Sequence, residues 1–182
     1  PTHTSPCPCC SAATSRVWMR TRPLSASEPS YTLLRCPACS HVWLADPPSP
    51  EQLAKFYDPV YHQAVTRSGE MGSSRWGRQV EILSRYKSGG AILDLCCSSG
   101  GFLSCLKNGN WELAGVEANP EAAERARQLT GGNIVTGDIA SAPLPSDHFD
   151  VVTCTDVLEH LYEPRPVFEK AAQWLKPGGI FY

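Results

Sequence analysis

The sequence predicts an α/β protein in which a parallel sheet with helices on both faces follows a small cysteine-bearing module. Three observations carry this. From residue 91 onward short apolar runs alternate with amphipathic stretches, the pattern of consecutive strand–helix units. Two C-x-x-C pairs, Cys7 with Cys10 and Cys36 with Cys39, stand near the N-terminal end. A Pro-rich break, DPPSPE at residues 46–51, separates the two compositions. The expected organisation is a cysteine module over 1–45, a linker and helical lead-in over 46–90, and an α/β domain over 91–182.

The elements follow in order. SRVWMR, YTLLR and HVWL are β-prone and surround the cysteine pairs. Ser49 is placed to cap a helix starting at Pro50 (PEQLAKFYD). RWGRQVEILSRY has helical spacing and is stopped by KSGG at 87–90, with Arg75, Arg78 and Arg85 expected on a solvated face. Strands are expected at 91–95, 112–117, 133–136, 149–154 and 179–182, and helices at 101–108, 120–129 and 164–175. Asn119-Pro120 reads as a helix start and KPGG at 176–179 as a stop. No internal repeat is expected.

Composition narrows the function. Of 182 residues 42% are hydrophobic, enough for a core, and the net charge of −2 gives no electrostatic pull toward nucleic acid or an anionic membrane. The charge is uneven: residues 1–90 hold ten Lys/Arg against six Asp/Glu, and residues 91–182 six against twelve, so the halves are expected to attract one another. No stretch approaches the ~20 apolar residues of a membrane span, and the polar N-terminal region is unlike an export signal. A reduced, cytoplasmic setting is expected, in which paired cysteines bind metal and do not form disulfides.

Two C-x-x-C turns can set four thiolates tetrahedrally about zinc, and Cys7, Cys10, Cys36 and Cys39 are the expected ligands. The 25-residue gap between the pairs exceeds the usual ~15–20 and requires an extended hairpin. Cys9, His3 and His41 are spare ligands. Four thiolates leave no open position, so such a zinc holds structure. Neither pair begins a βαβ helix, which argues against redox chemistry.

The second constellation lies at the strand ends. Asp94 closes the first apolar run and is placed to orient the next loop or meet a ligand ammonium. Gly100 and Gly101 allow a close turn into a helix, Glu117 closes the second run, and Gly137-Asp138 follows the third. A small-residue turn plus a carboxylate at the next strand tip suits a nucleoside-containing ligand, the acid accepting from the ribose diol. One such turn is weak evidence, but four strand-tip features in order are strong together.

ILDLCCSSGGFL, GVEANP, GDI, FDVVTCTDVLEHL and LKPGG, over residues 91–182, resemble the successive motifs of class I S-adenosylmethionine-dependent methyltransferases. The preceding cysteines with HVWLADPPSPEQLAKFYDPVY resemble a zinc-binding leader found on some members. The resemblance implies a Rossmann-like sheet that is truncated after its fifth strand, with S-adenosyl-L-methionine as cofactor beside a structural Zn2+. It implies that Asp94 and the 96–100 loop (Cys96, Ser98, Gly100), followed by Phe102, hold the methionine part. Glu117 and Ala118 then hold the ribose, Asp138 and Ile139 the adenine, and Thr155 lines the pocket. A Rossmann dehydrogenase has a differently spaced glycine triplet.

Two departures from the family pattern matter. Where the family loop reads G-x-G-x-G, this chain has Cys96, Ser98 and Gly100, so a Cβ at 96 or 98 is expected to crowd the cofactor or forbid a positive φ. The chain also stops at Tyr182, inside the expected fifth strand, so a further segment, a partner chain or an oligomer is expected to cover an open edge. For the chemistry, Asp156, Glu159 and His160 in DVLEH fall three and four apart, on one face if helical, with His160 as general base. A variant has the three bind a divalent cation. Phe56, Tyr57, Tyr61 and Trp76 are expected in an interdomain core, with a lid as the alternative. The expected activity is methyl transfer to O, N or C of a small molecule, with no nucleic-acid or membrane partner. The alternative is a non-catalytic cofactor-binding or scaffold protein, or one part of a split enzyme.

Overall fold

The computed structural model describes residues 2–3, 5–22, 30–49, 51–52 and 73–182. It divides into two compact units, Pro1–Phe56 with Tyr162–Arg165, and Tyr57–Leu161 with Pro166–Tyr182. Phe56, Tyr57, Tyr61 and most of the helix expected from Pro50 lie outside the described residues. Ser49 does cap the described start at 51–52: its Oγ accepts from the Gln52 N–H at 3.3 Å, and its own N–H donates to Gln52 Oε1 at 2.7 Å.

The first unit is a four-stranded antiparallel sheet in sequence order: β1 (Thr2–His3), β2 (Ser15–Arg20), β3 (Thr32–Arg35) and β4 (Val42–Leu44). Leu34 is fully buried, paired across the sheet with Val17 on one side and Trp43 on the other. The unit does contain a repeat. Cys-Pro-Cys-Cys-Ser (7–11) and Cys-Pro-Ala-Cys-Ser (36–40) fold alike. In each, the serine N–H donates to the carbonyl of the first cysteine, at 2.9 and 3.0 Å. Each serine is left-handed, with φ 60° at Ser11 and 65° at Ser40.

The second unit holds a five-stranded sheet in which every pairing is parallel. Its strands are β5 (Gly89–Leu95), β6 (Asn110–Glu117), β7 (Asn133–Thr136), β8 (Phe149–Thr153) and β9 (Leu175–Phe181), in the spatial order β7-β6-β5-β8-β9. The chain builds outward from β5 on one side, then crosses to the other. Alternate residues of β5 and β8 face opposite ways, which divides the core in two. Ile92 and Val151 join one cluster with Leu103, Ala123 and Ala126. Leu93, Leu95 and Val152 join the other with Val167, Ala171 and Trp174.

Helices therefore cover both faces. On the first lie α1 (Ser73–Ser84), α2 (Gly101–Ser104) and α3 (Pro120–Thr130), and on the second α4 (Arg165–Trp174). Asn119 caps α3, accepting from the N–H groups of Glu121 and Ala122, and Gly131 closes it at φ 70°. Among the described residues no helix is long and apolar enough to cross a membrane.

Two elements differ from expectation. The helix expected over 101–108 keeps α-helical form only to Ser104. Beyond it Cys105, Leu106 and Lys107 bond three residues back, a tighter turn ending before Gly109. The stop at 176–179 falls inside β9. The helix already ends at Trp174, Leu175 pairs with Phe149, and pairing resumes at Ile180 with Val151, so the four residues between bulge out with Gly178 at φ 76°.

Candidate functional site

Parallel pairing brings the C-terminal ends of β5, β6, β7 and β8 to one edge, and the order reverses between β5 and β8, where such sheets open a crevice. Asp94, one residue before the end of β5, is only 5% exposed, and Thr153 Oγ1 donates to its Oδ1 at 2.6 Å. Burial, and after it the neighbouring Glu117 carboxylate, pushes the Asp94 carboxyl up to about 7 against the pull of the Thr153 hydrogen bond.

The loop after Leu95 is held by Glu117. Ser98 N–H donates to Glu117 Oε2 at 2.9 Å, and Asn119 N–H donates to Oε1 at 2.8 Å. The expectation that side chains at 96 and 98 forbid a positive φ is not met: Cys96 sits at φ 54° and Ser98 at φ 50°. Each left-handed residue with a Cβ costs about 1–2 kcal/mol, which the tether to Glu117 opposes. The third position differs in kind. At Gly100, φ 81°, a Cβ would meet Thr130 Cγ2 at 2.9 Å and Ala126 Cα at 3.1 Å, so α3 presses on the loop there and leaves no room. Cys96 keeps solvent exposure, whereas Cys97 points inward and its Sγ takes the space that a side chain at Gly115 would need.

Three acids converge on this loop. Crowding by surrounding protein, and then the Glu117, Asp94 and Asp138 carboxylates in that order, push the Cys96 thiol up to about 11. Asp138 follows β7 and opens the 3-10 turn Ile139–Ser141, accepting from the Ala140 N–H at 2.7 Å. Ala118 is exposed beyond Glu117. Thr155 lies beyond β8 with its Oγ1 buried and without a partner among the described residues. Two of the expected contact residues are largely buried: Phe102 is 2% exposed with its ring against Trp76, and Ile139 is 7% exposed within the cluster of Leu95 and Val116.

The DVLEH segment is not one helical face. Asp156 is left-handed at φ 56°, Val157 breaks the helical path at φ −128°, and a single 3-10 turn spans Leu158–His160. Asp156 Oδ2 accepts from Arg75 Nη2 at 3.0 Å, and the same guanidinium lies 4.7 Å above the Trp76 ring. Arg75, Arg78 and Arg85 are all exposed, as expected, with Arg75 also pairing with Asp156 and Arg85 with Glu81 at 2.7 Å. Glu159 contributes to raising the buried Cys154 thiol, and His160 is exposed.

The first unit carries a separate cluster. Cys7, Cys10, Cys36 and Cys39 place their four sulfurs within 4.8 Å of one another. The cross-pair distances are 3.7 Å for Cys7–Cys39 and 3.6 Å for Cys10–Cys36. A tetrahedral ion with Zn–S near 2.3 Å sets its sulfurs about 3.8 Å apart, so the donor set fits. The N–H groups of Cys39 and Ala38 lie 3.5 and 3.4 Å from Cys36 Sγ; with Cys39 leading, they pull that thiol down to about 7. Burial instead pushes Cys7 up to about 12. Four adjacent thiolates repel unless a cation lies between them. Cys9 is not one of the four.

Residues 93–182 match the family model of the methyltransferase domain. The chain is similar to the 2-phytyl-1,4-naphtoquinone methyltransferase of Synechococcus elongatus, 30% identical over 139 residues covering 70% of this chain and 58% of that protein. It is also similar to the mitochondrial ubiquinone biosynthesis O-methyltransferase of Schizosaccharomyces pombe, 30% identical over 119 residues, 60% of this chain and 43% of that one. The chain thus spans about half the length of these relatives. In fold it is similar to the TehB-like S-adenosylmethionine-dependent methyltransferase of Corynebacterium glutamicum, with TM-score 0.58 and 20% identity over 68% of this chain and 72% of that one.

Proposed function

From the premise that residues 93–182 place this chain among the class I S-adenosylmethionine-dependent methyltransferases, we propose that it binds S-adenosylmethionine at the β5–β8 crevice and methylates an oxygen of a small, hydroxylated ring of the quinol type. The convergence of Asp94, Glu117 and Asp138 on the Cys96 loop carries the cofactor reading. The names of the two quinone-related relatives support the acceptor class. The cofactor supplies a methyl group on a sulfonium, which an oxygen nucleophile displaces in line.

The chain's own residues set the conditions. Glu117, fixed by two backbone N–H groups, keeps lone pairs for a ribose diol. The unpartnered Thr155 Oγ1 offers a hydroxyl at the crevice. Asp94 beside the loop favours a cation, sulfonium or ammonium, once ionised. His160 is the group we assign to take the proton from the acceptor hydroxyl, because Asp156 is already matched by Arg75. We assign structural zinc to the four-thiolate cluster, a donor set that suits a reducing, cytoplasmic compartment.

The test is transfer of labelled methyl from S-adenosylmethionine to a panel of catechol and hydroquinone acceptors. We expect product from the wild type, and about 10- to 100-fold less from Glu117→Ala at subsaturating cofactor. Cofactor binding with no transfer to any oxygen, nitrogen or carbon acceptor would favour the non-catalytic alternative.

A further inference from the structure

The two Cys-Pro-x-Cys-Ser knuckles fold alike, but their serine hydroxyls are used differently. Ser40 Oγ accepts from Arg35 Nη2 at 3.2 Å, five residues away. Ser11 Oγ accepts from Arg165 Nη1 at 3.4 Å, 154 residues along the chain. Arg165 is the last residue of a short insert, Tyr162–Arg165, that belongs to the cysteine unit although the chain on either side of it belongs to the other. Within the insert Pro164 is buried, and the Tyr162 hydroxyl donates to the carbonyl of Pro48, shortly after β4.

The insert follows directly on the Leu158–His160 turn. In that turn His160 N–H donates to the Val157 carbonyl at 2.9 Å, and Leu161 N–H to the Leu158 carbonyl at 3.2 Å. A single 3-10 turn without a side-chain cap has too few internal bonds to hold itself, so whatever fixes its ends fixes its place. Ahead of it Asp156 is held by Arg75, and behind it Tyr162 is held by Pro48.

Ser11 in turn depends on the cluster. Its N–H donates to the Cys7 carbonyl at 2.9 Å, and Cys7 N–H donates to the Ala12 carbonyl at 3.0 Å, so the knuckle wraps one of the four clustered cysteines. Four thiolates this close repel without a cation between them, and the left-handed Ser11, at φ 60°, is strained unless the closed knuckle holds it.

We propose that Ser11 and Tyr162 are positioning residues that make the Leu158–His160 turn depend on metal in the cysteine cluster. With the cluster filled, Ser11 and the Pro48 carbonyl hold Tyr162–Arg165; with it empty, the insert and the turn before it loosen. This rests on the zinc assignment above but not on the role given to His160, and it gives residues outside the matched domain control over part of the site.

The test is hydrogen exchange, read by mass spectrometry on the peptide covering 158–165, with zinc counted per chain in every sample. In the zinc-loaded wild type His160 and Leu161 should exchange slowly. Chelation should speed that peptide about tenfold or more while the α3 peptide, 120–130, keeps its rate. With zinc still bound, Ser11→Ala and Tyr162→Phe should each speed exchange in 158–165 about 3- to 10-fold, whereas Ser40→Ala should leave it within about twofold of wild type. Chelation without effect on 158–165, equal acceleration of α3, or no difference between Ser11→Ala and Ser40→Ala would each overturn the proposal. A wild type that holds no zinc would remove the metal site and the proposal with it, whereas bound zinc whose removal leaves exchange unchanged would remove the proposal alone.

Discussion

Replacing Asp94 by asparagine removes a charge from the most buried acid of the crevice while keeping its shape and its acceptor for the Thr153 hydroxyl. In the unfolded chain this carboxyl titrates at its ordinary 3.8, and in the fold it is pushed up to about 7. Between those values the folded protein holds a proton that the unfolded chain has lost, so stability falls as pH rises through the window. At 1.36 kcal/mol per pH unit the ceiling on that fall is about 4 kcal/mol, and local water and relaxation should bring it near 2. Urea denaturation at pH 4, 5.5, 7 and 8 measures it. Above pH 7 Asp94→Asn should exceed wild type by about 2 kcal/mol, while near pH 4 the two should agree. The variant should also lose preference for cationic S-adenosylmethionine over neutral S-adenosylhomocysteine. A wild type–variant difference that stays flat across pH 4–8, or an asparagine variant less stable at pH 8, would refute the reasoning.

Further expectations follow from the same structure. Ser98→Gly relieves a left-handed residue at φ 50° but adds freedom to the unfolded chain, leaving a net gain of about 0.5–1 kcal/mol in denaturation; a loss would show that the serine side chain has a role the backbone does not explain. Gly90→Ala should cost about 2–3 kcal/mol, because φ is 119° and the new Cβ would meet the Asp150 carboxylate, which accepts from Ala91 N–H at 2.9 Å and Lys176 Nζ at 2.7 Å. Wild-type melting at this position would show that the β5–β8 junction yields easily. Metal analysis of the purified chain should find one zinc per molecule, lost in Cys36→Ser together with near-ultraviolet circular dichroism from Trp18 and Trp43. Absence of metal from the wild type would remove the zinc site.

The parallel sheet was legible because strands buried on both faces read as unbroken apolar runs, as in Ala91–Leu93 and Val151–Val152. Asp94, Glu117 and Asp138 were legible for the same reason: each follows such a run, and parallel pairing must bring the run ends together. What depends on distant partners was not. Arg75 is exposed as expected, but its ion pair was hidden because the partner carboxylate is 81 residues away. Helical spacing misplaced Asp156 relative to His160, because a left-handed residue interrupts the register. The Cys-Pro-x-Cys-Ser repeat was present in the letters, but only the matching serine φ angles show that it is one fold used twice. That Cys96 and Ser98 adopt a glycine conformation could not be read locally, since Glu117 holds the loop from the neighbouring strand.

Everything functional here depends on adenosyl sulfonium entering the crevice at the ends of β5, β6, β7 and β8. Calorimetric titration of the 182-residue chain with S-adenosylmethionine at pH 8, beside Glu117→Ala, tests that most directly. One site per chain should fill at micromolar cofactor, with binding about 1–3 kcal/mol weaker in the variant. No heat from the wild type at millimolar cofactor, or equal affinity in both proteins, would contradict it.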